Sequence, residues 1–300
     1  GFFSGPAYFN WFWMGNLDGW CGPLPQSFME DHEQLQKKIL AAERTLGMTP
    51  VLPAFTGHVP PSFQEKFPDA KVRTTEWVNF PEVSILDPGE ELFTQIGKMF
   101  IEEQVKLYGT DHYYSADTFN ENTPPTNDPQ YLNDISAKVF SAMNDVDPEA
   151  VWVMQGWSLR EQIVKAVPKD KLLILDLDGT SCKKNDNFWG YNYILGTLQN
   201  FGDRNTLHGS IKALADNRYL TEGSENCVGT GLFMEGILQN PLYFDLAFQM
   251  LTEDKAIDLE EWLRNYAYRR YGSREKCLAD AMLLLAESCY SENCVGRETG

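Results

Sequence analysis

The sequence predicts a parallel α/β protein, a (β/α)8 barrel of the TIM type that is incomplete because its first strands are missing. Predicted strands and helices alternate along the 300 residues without a Ser/Gly-rich linker, which is typical of a parallel α/β domain. Neither GxGxxG nor GxxxxGK[ST] occurs, so the sequence lacks the phosphate loops of nucleotide-binding folds. Polar and aromatic residues follow several strands instead of one, as at the catalytic face of a barrel.

Six segments have the composition of buried strands, two fewer than a closed eight-stranded barrel requires. They are rich in β-branched and aromatic residues, and Leu172-Leu173-Ile174-Leu175 is an apolar run suited to a sheet covered on both faces. The six segments are 50–55, 112–116, 151–155, 172–176, 191–195 and 228–233. We expect them to be parallel neighbours in one curved sheet, with their C-terminal ends on one face.

The helices between these strands are recognised by their ends. Ser27 and Glu30 predict a capping box at the start of a long amphipathic helix. Asp128 directly precedes a proline, which predicts the first turn of another helix. A further helical pattern follows the last strand. We therefore assign 1–275 to the barrel and 276–300 to the start of a C-terminal helical region.

The composition describes a globular protein with strong negative charge. Hydrophobic residues make up 43% and charged residues 23% of the chain, which is unlike a disordered or fibrous protein. No apolar run is long enough to span a bilayer. A formal net charge of −18 repels nucleic acid, anionic membranes and highly sulfated glycans. We expect no nucleic-acid partner and no membrane insertion, and a neutral small ligand remains open.

The cysteines predict neither a zinc site nor a definite disulfide. Six cysteines include no CxxC pair, and only four histidines accompany them, so we expect no metal. Cys289 and Cys294 are close enough in sequence to form a bridge across a loop. Free buried thiols are an equally good interpretation.

Two carboxylates follow predicted strands in settings that suggest chemistry. Glu121 ends the motif Asp-Thr-Phe-Asn-Glu and precedes Pro124-Pro125, which prevent a helix from continuing. A solvated turn would have similar residues. Glu235 stands among apolar and glycine residues, where a carboxylate is costly to bury unless it is paired or used; a salt-bridged glutamate at a helix start is the alternative. Paired carboxylates are the requirement of glycoside hydrolysis.

Aromatic side chains are predicted near the same strand ends. Trp11, Trp157 and Trp189 lie in loops or at strand ends, where exposed indoles suit stacking on sugar rings. His58 follows the first of the six strands and is a further candidate for substrate binding. The Gly-x-Ser-x-Gly elbow of serine hydrolases is absent from the sequence.

Eight motifs occur in a fixed order between residue 1 and about residue 290: FFSGPAYFNWFWMGNLDGW, GPLPQSF, LGMTPVLPAFTGHVP, GTDHYYSADTFNE, AVWVMQGW, LLILDL, LQNFG and VGTGLFMEGILQNP. Together they resemble the catalytic domain of the α-N-acetylglucosaminidases, glycoside hydrolase family 89. The resemblance implies a retaining exo-hydrolase that removes terminal α-linked N-acetylglucosamine from a glycan substrate without a cofactor. It also implies a secreted, periplasmic or lysosomal location.

The resemblance assigns roles to individual residues. The family's acid/base falls on Glu121 and its nucleophile on Glu235. Asn120 resembles the neighbouring asparagine that contacts the sugar, and Trp11 and Trp157 fall on aromatic positions that line the family's pocket.

The sequence also departs from the family. Members carry an N-terminal domain and the first barrel strands before the equivalent of Gly1 and a helical domain after the barrel, so the chain resembles a fragment of a parent protein with these parts. Gln199 replaces the histidine of Leu-His-Asn-Phe-Gly-Gly near the substrate site, and the stretch after Trp157 is short. Three alternatives stay open: a non-catalytic glycan-binding relative, a barrel glycosidase of different sugar specificity, and a fragment that cannot fold alone because its sheet edges are exposed.

Overall fold

The computed structural model describes residues 3–4, 19–20, 25–60, 62–76, 82–119, 122–200, 207–216, 224–236 and 238–291. The chain forms two compact units, one of Gly1–Ile174 with Trp189–Asn192 and one of Leu175–Phe188 with Tyr193–Gly300. In the described part of the chain, no helix combines the length and the apolar character needed to cross a membrane.

The strands of the described residues are short and spread along the chain. In order they are β1 (Phe3–Ser4), β2 (Gly19–Trp20), β3 (Val51–Pro53), β4 (His58–Val59), β5 (Val72–Thr75), β6 (Val83–Leu86), β7 (Tyr113–Ser115), β8 (Val151–Gln155), β9 (Leu172–Asp176), β10 (Tyr193–Thr197) and β11 (Cys227–Leu232).

The α-helices of the described residues connect these strands. In order they are α1 (Gln26–Thr45), α2 (Phe63–Lys66), α3 (Glu91–Tyr108), α4 (Pro129–Asn144), α5 (Glu161–Lys165), α6 (Ser181–Lys184), α7 (Ile211–Ala215), α8 (Pro241–Met250), α9 (Leu259–Tyr271) and α10 (Lys276–Glu287).

The six predicted strands form one sheet in the order β11-β10-β9-β8-β7-β3. In the first unit β7 pairs in parallel with β3 and with β8, and in the second unit β10 pairs in parallel with β11. The predicted parallel α/β architecture is therefore confirmed. Because parallel strands run in one direction, the residues that follow the paired strands of one unit share the C-terminal edge of that unit's part of the sheet.

Close packing of α3 and α4 forms much of the core of the first unit. A Cβ atom at Gly97 of α3 would lie only 2.6 Å from the Ala142 Cβ of α4, so glycine permits the helices to approach. Phe93 is fully buried and meets the ring of Phe55 edge-on at a centroid distance of 5.4 Å. Burying one such side chain stabilises the fold by about 1.5–3 kcal/mol.

Two helix starts test the capping predictions with opposite results. Asp128 caps α4, since its Oδ1 accepts a hydrogen bond from the Gln130 amide at 3.0 Å. The predicted capping box at Ser27 is wrong. Helix α1 begins at Gln26 after Pro25 without a side-chain cap, and Glu30 instead accepts from the side-chain amide of Gln26. Because the helix begins before Ser27, this serine lies inside the first turn and not at the N-cap position.

A three-stranded antiparallel sheet in the first unit was not predicted. Its order is β4-β6-β5, and it is inserted between β3 and α3 in the chain. The strands escape prediction because β4 has two residues and β5 reads Val-Arg-Thr-Thr, which gives little hydrophobic alternation.

Strand β10 begins two residues later than predicted because an unusual turn precedes it. Residues Asp186 to Trp189 all have φ between 46° and 55°, a left-handed conformation that is costly for residues with side chains. Burial of Phe188, whose ring packs edge-on against Tyr193 at 5.2 Å, stabilises this turn. The Asn187 carbonyl also accepts a hydrogen bond from the Asn226 side chain at 3.0 Å.

Candidate active site

His58 follows β3 in the first unit, and both of its ring nitrogens are hydrogen-bonded within the protein. The Asn122 amide nitrogen donates to Nε2 at 3.2 Å, and Nδ1 lies 2.9 Å from the Thr56 hydroxyl oxygen. An amide nitrogen has no lone pair to offer, so Nε2 is the acceptor and Nδ1 carries the hydrogen. Burial lowers the pKa of His58 to about 4. The ring is therefore neutral at pH 7 and holds Asn122.

The segment directly after Glu121 is held at two further points. Asn122 is buried, and its amide nitrogen also lies 3.5 Å from the Thr75 hydroxyl. The Thr123 amide donates to the Glu76 carbonyl at 2.7 Å, and the Glu76 amide donates in return at 3.3 Å. Asn120 and Glu121 themselves lie outside the described residues.

Arg160 holds the segment before Glu121. Its Nη1 donates to the Phe119 carbonyl at 3.1 Å, and burial lowers the pKa of this guanidinium below its ordinary value. The sequence analysis did not select Arg160. The signal was present, because the short stretch after Trp157 brings this arginine close to the end of β8.

A small cavity lies next to this contact. Its volume is about 30 Å³, which is room for roughly two water molecules. Asp117, Thr118, Ser158 and Arg160 contribute to its lining, and the buried Thr118 hydroxyl has no hydrogen-bond partner among the described residues.

Two of the tryptophans predicted to stack on a sugar, Trp157 and Trp189, lie among the described residues of the first unit. Trp157 follows a strand, whereas Trp189 precedes one. Trp157 follows β8 at the C-terminal edge of the sheet, is 47% exposed, and donates from its indole nitrogen to Gln155 Oε1 at 3.2 Å. Trp189 belongs to the turn that precedes β10, and its carbonyl accepts from Lys169 Nζ at 3.1 Å, shortly before β9 begins. The structure therefore does not bring Trp189 together with Trp157.

Glu235 of the second unit is exposed on a turn three residues beyond β11. Its backbone amide donates to the Asn200 carbonyl at 3.2 Å. The Asn200 side-chain amide donates to the Leu238 carbonyl at 2.5 Å. The turn that carries Glu235 is thus attached to the segment that follows β10.

Two glycines, Gly196 and Gly231, leave space for the ring of Phe233, which lies two residues before Glu235. A Cβ atom at Gly196 would be 2.4 Å from this ring and 2.2 Å from the Asp176 carbonyl oxygen. A Cβ atom at Gly231 would be 2.8 Å from the same ring. Both distances are shorter than any normal contact, so side chains at these positions would displace the residues leading to Glu235.

Gln199 is almost fully buried, with 1% of its surface exposed. Its side-chain nitrogen donates to the His208 carbonyl at 3.4 Å. Gln199 was a candidate substrate contact, but its side chain is buried and not exposed. Trp11, the remaining predicted contact, lies outside the described residues.

The sequence analysis also made predictions about metal binding and about the cysteines. Within the ranges that the structure describes, no cluster of three or more His, Cys, Asp and Glu side chains is placed to hold a metal ion. Cys182, Cys227 and Cys277 are free thiols. Cys294 lies outside the described residues, so its bridge to Cys289 stays a prediction.

Comparison with solved structures supports the same reading of the fold. A family 89 glycoside hydrolase from Clostridium perfringens in complex with PUGNAc has a TM-score of 0.88 and 29% identity, covering 97% of this chain and 34% of that one. A variant from the same organism, with two glutamates replaced by glutamine, is in complex with its substrate GlcNAc-α-1,4-galactose. It has a TM-score of 0.88 and 28% identity over the same share of both chains.

Sequence comparison gives the family. The chain is 38% identical over 317 residues to human α-N-acetylglucosaminidase, covering 98% of this chain and 42% of the human protein. It thus spans less than half the length of these relatives, in line with the predicted fragment. Residues 1–254 match the α-N-acetylglucosaminidase TIM-barrel domain. The barrel prediction is confirmed, and the chain belongs to the α-N-acetylglucosaminidase TIM-barrel domain family.

Proposed function

We propose that the parent protein is a retaining glycoside hydrolase that removes terminal α-linked N-acetylglucosamine from glycans. Glu121 serves as acid/base and Glu235 as nucleophile. The observation that carries this proposal is that the variant of the bacterial relative in complex with its substrate has two glutamates replaced by glutamine. Their separation along that chain is nearly the same as the separation between Glu121 and Glu235 here.

The surroundings of both glutamates are consistent with these roles. Contacts from Arg160 to Phe119 and from His58 to Asn122 hold the chain on both sides of Glu121. Glu235 is exposed on a turn that Asn200 attaches to the neighbouring strand end. Fixed attachment of catalytic groups is what the reaction needs, because orientation supplies much of the rate enhancement.

The proposed reaction has two displacements. Glu235 attacks the anomeric carbon while Glu121 donates a proton to the leaving glycosidic oxygen, so that a covalent glycosyl-enzyme forms and the aglycone departs. Glu121 then removes a proton from water, which attacks the same carbon and releases Glu235. Two inversions restore the α configuration. This mechanism requires the two carboxyl groups to lie about 5–5.5 Å apart.

Substrate binding is assigned to residues around these two groups. Trp157 presents a half-exposed indole at the C-terminal edge of the sheet, which suits stacking on the apolar face of a sugar. Asn120 and Trp11 are proposed sugar contacts on the strength of their family motifs. The chemistry needs no cofactor, and we propose a secreted, periplasmic or lysosomal location.

Azide tests the roles of the two glutamates separately in the full-length parent protein. With Glu235→Ala, azide enters the nucleophile's position and attacks the substrate once, which gives the β-glycosyl azide. With Glu121→Ala, activated aryl substrates still form the covalent intermediate, and azide then gives the α-glycosyl azide. Product configuration is read by NMR.

The control is the unmodified parent protein, which should release N-acetylglucosamine in the α configuration first. Wild-type turnover by Glu235→Ala without azide would overturn the proposed nucleophile. Release of the β anomer by the parent would overturn the retaining mechanism. Binding of α-N-acetylglucosaminides with no turnover by the parent would instead show a non-catalytic glycan-binding relative.

A further inference from the structure

Asn200 is attached at two points to the turn that carries Glu235. Its carbonyl accepts from the Glu235 amide at 3.2 Å, and its side-chain amide donates to the Leu238 carbonyl at 2.5 Å. The residue itself is 0% exposed. The backbone and the buried side chain of Asn200 therefore hold Glu235 and Leu238, respectively.

The contacts of Asn200 lie just beyond the last paired residues of β10 and β11. The register of β10 and β11 ends with Thr197 opposite Leu232, and one further backbone bond follows from the Phe233 amide to the Thr197 carbonyl at 2.9 Å. Beyond it the chain leaves the sheet. Asn200 continues the connection between the two strand ends after the ladder has finished.

The position of this turn decides where the Glu235 carboxylate reaches. Glu235 is exposed, and its backbone sets the starting point of the carboxylate. The Gln239 side chain also donates to the Gly236 carbonyl within the turn. This second bond stays inside the turn and does not fix the turn to β10.

From this arrangement we propose that Asn200 is a positioning residue that places Glu235 for attack on the anomeric carbon. The inference rests on the proposed role of Glu235 as nucleophile. A shift of about 1 Å in a reacting group lowers a rate by about 10²-fold. Loss of the Asn200 amide should therefore slow the step in which the covalent intermediate forms and leave sugar binding nearly unchanged.

Two substitutions in the full-length parent protein test this role. Asn200→Ala removes the donor, and we expect kcat/KM per folded molecule to fall by about 10- to 100-fold, while the Kd of N-acetylglucosamine changes less than twofold. Asn200→Asp keeps the size of the side chain. Its carboxylate cannot donate to Leu238, but its protonated form can. The activity of this variant relative to wild type should rise as pH falls.

Asn226→Ala is the matched control. Asn226 also bridges two segments through its side-chain amide, which donates to the Asn187 carbonyl at 3.0 Å, but it does so just before β11 begins. This variant should lose stability and keep kcat/KM within about twofold. Folded fractions are measured by circular dichroism, and all assays run well below the lowest Tm.

The outcomes separate the two proposals. If Asn200→Ala keeps wild-type kcat/KM per folded molecule, Asn200 does not position the nucleophile, although Glu235 can still be one. If Asn200→Ala and Asn226→Ala lose activity equally, the effect is general loosening of the fold and the inference fails. If Glu235→Ala itself retains full turnover, the proposed function fails first.

Discussion

Nε2 of His58 accepts a hydrogen bond from the side-chain amide of Asn122 over 3.2 Å. This contact joins the segment after β3 to the residue that directly follows Glu121. It exists only while Nε2 keeps its lone pair, because protonation would turn this atom into a donor facing a donor. The site therefore depends on a neutral histidine.

Stability should fall as the pH falls from about 6.5 to about 4. Burial lowers the pKa of His58 to about 4, whereas in the unfolded chain it is about 6.5. In this window the unfolded state binds a proton that the folded state does not, so acid favours unfolding. The contribution is about 3 kcal/mol over the whole window. Urea unfolding at pH 4.5 and 7.0 measures it.

Comparison of two histidine variants isolates this effect. His58→Gln should flatten the pH dependence, because glutamine does not titrate. His32→Gln, at an exposed position on α1, should keep it. An unchanged pH dependence in His58→Gln would show that other groups cause the acid sensitivity.

Asp147 should be a major stabilising residue of the first unit. This buried carboxylate accepts hydrogen bonds from the Thr110 and Tyr114 hydroxyls at 2.8 Å and from His112 Nδ1 at 2.9 Å. Burial raises the pKa of Asp147, but these donors outweigh it and lower the pKa overall. Asp147→Asn should destabilise the protein by about 3 kcal/mol at pH 7.

The sign of the pH dependence follows from the lowered pKa. The contribution of Asp147 is present above the unfolded pKa of about 3.9 and is lost as pH falls through the folded value. Asp145→Asn is the control, because Asp145 pairs with Lys98 at the surface and such pairs contribute about 0–1 kcal/mol. Equal destabilisation by both substitutions in denaturant unfolding would refute the special role of Asp147.

Gly196→Ala should disrupt the approach to Glu235. The new Cβ would lie 2.2 Å from the Asp176 carbonyl oxygen and 2.4 Å from the Phe233 ring. Overpacking of this kind costs about 1–3 kcal/mol, and a clash with backbone costs more. We expect a lower Tm together with a loss of kcat/KM. Gly229→Ala is the control, since its Cβ would meet only Ile194 Cγ1 at 3.9 Å; matching losses from the two variants would contradict the steric explanation.

Trp157 and Trp189 should differ in their effect on substrate binding. Trp157→Ala removes the half-exposed indole at the C-terminal edge, and we expect KM to rise by about 10-fold, equivalent to about 1.4 kcal/mol. Trp189→Ala should leave KM unchanged, because Trp189 lies before β10 begins. Steady-state kinetics on folded protein provides the measurement. A higher KM from Trp189→Ala alone would reverse the assignment.

Much of the parallel sheet could be predicted because its signals are local. Apolar runs such as 172–176 identify buried strands, and Asp128 before a proline identifies a helix start whatever the rest of the chain does. The order of the six strands also follows from the sequence, since neighbouring parallel strands joined by helices tend to pair in chain order. The family motifs add Glu121 and Glu235 as the candidate catalytic pair.

Only the tertiary structure decided which residues hold the candidate site together. The contacts of Arg160 with Phe119, of His58 with Asn122 and of Asn200 with Leu238 join residues that are 38 to 64 positions apart. No periodicity encodes such pairs, because they depend on the register of strands brought together by folding.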